Sequence, residues 1–150
     1  MTHTIRMANP RDAAGLVELI HQHAAFERST ATITLERLEQ LLLQDAPPAG
    51  LFVAELLGEL VGYASLTFDY ATWRGAKFGT LDCLFVRESQ RSAGLGKLLF
   101  EQVAQTARQA GADRLEWQTP AWNAGAIRFY QREGGVSELK QRFQLEFLSP

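Results

Sequence analysis

The chain has 150 residues, of which 46% are apolar and 21% charged, with a single cysteine and a formal charge of -2. This is ordinary globular composition, sized for one domain around one core, and it excludes intrinsic disorder and a disulfide-stapled scaffold. The 15 Lys and Arg are scattered among 17 Asp and Glu without a basic block, which argues against nucleic acid as a partner.

Residues 1–6 offer no apolar leader stretch, and the longer apolar runs are interrupted too soon to span a bilayer. The expectation is therefore a cytoplasmic protein with no membrane partner. His3, His21 and His23 stand near the start with no cysteine cluster beside them, so no metal centre is expected, and His21 and His23 read as exposed or core-edge side chains.

In chain order, residues 4–8 read as a short strand. Asn9, Pro10 and Asp12 then supply a cap, a first-turn proline and a first-turn acid for a helix whose buried face is Leu16, Leu19, Ile20 and Ala24. A second helix begins at Thr34, with Ile33 and Leu38 as a hydrophobic staple and Leu35, Leu38, Leu41 and Leu42 as its stripe, and Pro47 and Pro48 end it. Residues 51–57 and 59–70 read as adjacent strands turning at Gly58, and 78–86 as a third.

Leu95, Leu98, Leu99, Val103 and Ala107 mark one face of a further helix, closed by Gly111. Residues 114–119 form a brief strand with Leu115 and Trp117 on one side. Pro120 and Asn123 lead into a short helix carrying Ile127 and Tyr130 that ends near Gly134. In residues 136–147, Phe143, Leu145 and Phe147 share a side and predict one or two terminal strands. No repeat or linker divides this order, so a single mixed α/β domain is expected.

The richest segment is the connection from residue 86 to residue 96. A β-branched and aromatic strand breaks into Gln90, Arg91, Ser92, Ala93, Gly94, Leu95 and Gly96, then enters a helix at Lys97. Its spacing is neither a dinucleotide fingerprint nor a P-loop. Glycines there let backbone N–H groups approach an anion at the positive end of a helix, with Arg91 adding directional bonds and Lys97 a looser charge. The other reading is that the two glycines simply permit a tight turn.

Gln90, Arg91, Gly94 and Gly96, together with Phe26-Glu27, residues 68–75, residues 81–86, Trp122-Asn123 and Phe129-Tyr130, resemble the GCN5-related N-acetyltransferase family. The similarity covers nearly the whole chain and is greatest to the diamine or spermidine/spermine branch. Ser92 stands where relatives commonly have glycine, and Asp82 where typical polyamine acetyltransferases have glutamate. The resemblance implies a twisted mixed β-sheet flanked by helices, a homodimer, and acetyl-CoA as donor to the primary amine of a small molecule by direct attack.

It further implies that residues 90–97 hold the pyrophosphate. By the same resemblance, the backbone of Phe85 and Val86 would face the thioester and pantetheine arm, Asn123 would bind the donor or hold the split between neighbouring strands, and Tyr130 would protonate departing CoA. Because a free alkylamine is mostly protonated near neutral pH, a proton acceptor is needed, and Asp82, directly or through water, leads. Glu27 is the candidate receptor for a distal ammonium, with Asp69 and Glu116 as further acids of the same channel. Phe26, Tyr70 and Trp73 are candidate walls for the substrate's methylene groups. Cys83 reads as structural rather than nucleophilic. Peptide or protein N-acetylation and noncatalytic acyl-CoA binding are the two alternatives.

Overall fold

A computed structural model describes residues 3–148. Residues 1 and 2, where the segment read for a leader begins, lie outside the described residues. The elements are β1 (His3–Met7), a 3-10 turn (Pro10–Asp12), α1 (Ala13–Phe26), α2 (Leu35–Leu42), β2 (Gly50–Leu56), β3 (Glu59–Ala71) and β4 (Ala76–Val86). A second 3-10 turn (Glu88–Ala93), α3 (Leu95–Gln109), β5 (Leu115–Glu116) and α4 (Ala124–Arg132) follow. The chain divides into two compact units, Met1–Gln118 and Thr119–Pro150.

The first unit holds a five-stranded sheet in the order β1-β2-β3-β4-β5. Its pairs are antiparallel except β4–β5, which is parallel. Leu16, Leu19 and Leu38 of α1 and α2 are fully buried against Leu51, Val53, Tyr63 and Phe85 on one face. Each such leucine contributes about 1.5–3 kcal/mol of burial. On the other face α3 sits close because Gly62 and Gly79 have no side chain. A Cβ on Gly62 would lie 3.2 Å from Leu99 Cδ1, and one on Gly79 would lie 3.0 Å from Ala107 Cβ.

The helix starts follow the local sequence. Asn9 Oδ1 accepts from the Arg11 N–H at 3.0 Å, and the Asn9 N–H donates to Asp12 Oδ2 at 2.8 Å. These bonds organise a 3-10 turn ahead of α1, where the sequence predicts the helix to begin at once. Arg6 clamps Asp12 through bonds of 2.7 and 2.9 Å and reaches Glu55 at 3.2 Å. The Arg6 guanidinium holds the Asp12 carboxyl below its usual range.

Thr34 Oγ1 caps α2 by accepting from the Arg37 N–H at 3.2 Å. Leu35 is 44% exposed rather than part of the buried stripe, because an eight-residue helix anchored at Leu38 turns its first position outward. Leu98, also 44% exposed, likewise leaves the predicted face of α3, which is carried by Leu95, Leu99, Phe100, Val103 and Ala107. The β2–β3 turn places Leu57 at φ 52° and Gly58 at φ 82°, the two left-handed positions of a hairpin whose twist suits the flanking strands.

Two expectations are corrected. The strand over 114–119 is only Leu115–Glu116, and Trp117 instead sets its ring edge-on to Phe100 of α3 at 5.2 Å. Residues 136–148 carry no strand, and Val136, Leu139, Phe143, Leu145, Phe147 and Leu148 are 80–98% exposed. Alternation gives a segment one apolar side, but a strand exists only where another chain segment meets its N–H and C=O groups. Among the described residues no helix is long and apolar enough to cross a membrane.

Candidate active site

The β3–β4 register slips at one place. Ser65 opposes Cys83 and Leu66 opposes Leu81, so Asp82 is the extra residue of a β-bulge. A bulge re-aims the side chain it carries. Asp82 is exposed, with Oδ2 accepting from Ser65 Oγ at 3.4 Å and Cys83 Sγ at 3.6 Å. Burial, reinforced by the Asp82 charge, pushes the Cys83 thiol up to about 11. A thiol held protonated at neutral pH is a poor nucleophile, which argues against a covalent role.

Beyond the bulge, β4 has an open edge. Among the described residues β5 pairs with Gly79 and Thr80 alone, and residues 81–86 continue with no strand on that side. Phe85 and Val86 are buried there. The Val86 carbonyl accepts from Arg91 Nε at 2.8 Å, and the Arg91 guanidinium lies 4.5 Å from the Phe26 ring and 5.3 Å from that of Phe85. Arg91 therefore covers the strand end and an aromatic pair.

Gln90, Arg91, Ser92 and Ala93 form the second 3-10 turn, and Gly94, at φ 78°, swings the chain into α3. Ser92 lies in right-handed backbone, so serine is unstrained there. Gly94 is the position that needs glycine. No side chain caps α3, and its first internal bond runs from the Leu98 N–H to the Gly94 carbonyl at 3.2 Å. The N–H groups of Leu95, Gly96 and Lys97 thus precede the helical ladder. A Cβ on Gly94 would meet nothing within 4 Å. Lys97 pairs with Glu101 at 3.9 Å on the exposed side.

Opposite Phe85, the last turn of α1 brings His23, Phe26 and Glu27. His23 Nδ1 lies 2.6 Å from Tyr63 Oη and His23 Nε2 lies 2.7 Å from Glu27 Oε2. The His23 ring stacks on Phe85 at 5.1 Å and 22°. Sequence pattern does not mark His23 and Tyr63 as site residues. They are far apart in the chain, and the i,i+4 spacing of His23 and Glu27 is the one local signal.

The remaining candidates stand elsewhere. Asp69 accepts from Thr80 Oγ1 at 3.0 Å, Tyr70 is exposed and Trp73 is fully exposed at the far end of the β3–β4 hairpin. Glu116 pairs with Arg74 at 3.9 Å, and Arg74 also holds Asp113 at 2.8 Å. In the second unit Asn123 Oδ1 caps α4 by accepting from the Ala126 N–H at 3.2 Å. Tyr130, half-buried on α4, meets the Phe129 ring edge-on at 5.2 Å.

The site thus combines a β4 edge left unpaired past Thr80 among the described residues, an acid on a β-bulge and a helix start without a side-chain cap. Residues 17–135 match the Acetyltransferase (GNAT) family. The chain belongs to this family. It is 32% identical over 123 residues to the thialysine N-epsilon-acetyltransferase of Caenorhabditis elegans, covering 81% of this chain and 75% of that protein. It is 27% identical to the L-ornithine N5-acetyltransferase of Arabidopsis thaliana, covering 89% and 79% respectively. An aminoglycoside acetyltransferase from an uncultured soil metagenomic sample shares the fold at TM-score 0.80 and 18% identity, covering 99% of this chain and all of that one. The GNAT fold predicted from the motifs is thus the fold observed, and the chain is an acetyl-CoA-dependent N-acetyltransferase.

Proposed function

We propose that this GNAT enzyme acetylates the terminal primary amine of a small, basic acceptor such as a diamine, a polyamine or a lysine-like amino acid. The observation that carries this reading is the bulge at Asp82, an exposed carboxylate on β4 whose charge, with that of Glu27, is felt at the Tyr63 hydroxyl. The names of the thialysine and ornithine enzymes agree with it: each acts on an amino acid with a terminal side-chain amine.

The chain fits acetyl-CoA on its own evidence, because open N–H groups of residues 95–97 and free space over Gly94 suit a pyrophosphate. Bound there, acetyl-CoA supplies the activated acyl carbon. In this reading the N–H groups after Gly94, with Gln90, Arg91, Ser92, Ala93 and Lys97 around them, hold the anionic end. The backbone of Phe85 and Val86 orients the arm and Asn123 steadies the donor. Asp82 takes the proton from the ammonium, directly or through one water, so that nitrogen attacks with a free lone pair. Tyr130 Oη gives a proton to the departing sulfur. Glu27 receives the acceptor's second positive charge, Phe26 covers its methylenes, and Asp69, Tyr70, Trp73 and Glu116 line its outer approach.

In this proposal the two units act as one catalytic domain of a cytoplasmic homodimer. The row of exposed apolar side chains over residues 136–148 supports pairing with a second copy. The test is a panel of diamines, spermidine, lysine analogues and short peptides, read by product mass, together with Tyr130→Phe. Single acetylation of a diamine or basic amino acid, and a fall in kcat of about a hundredfold in Y130F with donor affinity kept, are expected. Turnover of peptides alone, or binding of acetyl-CoA without turnover, overturns the reading.

A further inference from the structure

Tyr63 is 1% exposed in the middle of β3, and a phenol buried there must find a partner for its hydroxyl. It finds His23 Nδ1 at 2.6 Å, while His23 Nε2 faces Glu27 Oε2 at 2.7 Å. A carboxylate only accepts, so His23 Nε2 carries the hydrogen toward Glu27 and the Tyr63 O–H donates to Nδ1. Burial pushes the Tyr63 hydroxyl up and keeps it a donor. With its ring stacked on Phe85 and both nitrogens engaged, His23 is fixed on every side.

Glu27 is the part that does not pack. It sits at the C-cap of α1, where the helix end disfavours a negative charge. It also remains partly exposed, 34% for its side chain. Free to sample rotamers, such a glutamate gives up conformational entropy each time it engages a ligand. His23 removes that freedom beforehand by holding Oε2, and Oε1 keeps its acceptor capacity.

We propose that His23, braced by Tyr63, is a positioning residue that presets Glu27 as receptor for the second positive charge of the acceptor, and so sets a preference for dicationic over monocationic amines. This rests on the role given to Glu27 above.

The full chain is assayed with 1,5-diaminopentane and n-pentylamine, which differ only in the second amine, alongside thermal melting and acetyl-CoA binding. In His23→Leu the KM for the diamine rises about tenfold, with kcat within twofold and pentylamine unaffected. His23→Gln, whose amide still donates to Glu27, recovers most of the loss, and Tyr63→Phe falls between. His23→Asn, which can satisfy Tyr63 but is too short for Glu27, reproduces the KM rise and serves if His23→Leu does not fold. An equal rise for both amines, or a change in melting without one in KM, overturns the proposal. So does a diamine KM that responds to Glu27→Gln but not to His23→Leu or His23→Asn, and in that case the Glu27 reading survives. If wild type does not discriminate and Glu27→Gln changes nothing, both fall together.

Discussion

The chain begins α1 through a turn in which Asn9, Asp12 and Arg6 satisfy one another, and begins α3 through Gly94 with no side chain on its first amides. Each of these helix starts follows the end of a strand, and each must deal with N–H groups that the helix itself cannot use. At α1 the protein answers with its own side chains, which adds stability and closes the site. At α3 it leaves the amides open and uses a left-handed glycine to present them. A helix start therefore reads as structural or ligand-directed from which groups satisfy its amides, not from its glycine content.

The largest effect should come from opening the closed start of α1. Asp12→Ala removes two bonds from the Arg6 guanidinium, which keeps Glu55, and leaves the Asn9 N–H without its acceptor; a loss of about 2–3 kcal/mol is expected, seen as a drop in Tm of roughly 5–10 °C, with turnover per folded molecule unchanged. The same contrast appears in acid. Because Arg6 depresses the folded-state value of Asp12, its stabilisation is complete above the unfolded carboxyl value of about 3.9 and is lost as pH falls through the lower folded value. Urea titrations from pH 6 to pH 2 should show a steeper decline in wild type than in Asp12→Asn, which keeps the contribution of Asp113 beside Arg74. An equal decline in the two refutes the assignment.

Gly94→Val tests the open start of α3. A β-branched residue at φ 78° strains the turn by about 1–2 kcal/mol and displaces the amides, so acetyl-CoA affinity should fall about tenfold by calorimetry, while Tm drops only a few degrees. Asn9→Ala should cost about 1 kcal/mol of stability and leave donor affinity alone. The smallest effect is assigned to Ser92→Gly. With Ser92 in right-handed backbone, restoring the relatives' glycine gains no affinity and loses up to about 1 kcal/mol of stability. Tighter acetyl-CoA binding in this variant contradicts that account.

Much of the fold is legible in the sequence because its signals are local. Thr34, Asn123 and Gly111 mark helix ends by bonds or backbone angles formed within a few residues, and each acts at the end its position predicts, while Asn9 caps the 3-10 turn just ahead of α1. The alternation of Phe143, Leu145 and Phe147 is equally local, yet it has no strand around it, since a ladder requires a second segment that no pattern supplies. At the site, Asp82 and Glu27 stand out in the sequence as acids, but their settings do not. The bulge depends on the register against Ser65, and the hold on Glu27 depends on a tyrosine that β3 delivers to His23. Arg91, expected as a ligand contact, lies on Phe26 and the Val86 carbonyl in this structure, a placement set by an aromatic pair from α1 and β4.

By itself, then, the sequence determined the family, the order of elements and which residue types carry the chemistry, because motif spacing, capping and periodicity act over a few residues. Tertiary structure alone decided which strand edge stays open, that Asp82 occupies the bulge, and that His23 joins Tyr63 to Glu27. Those contacts depend on strand register and on how the helices seat against the sheet, quantities fixed only when distant segments pack together.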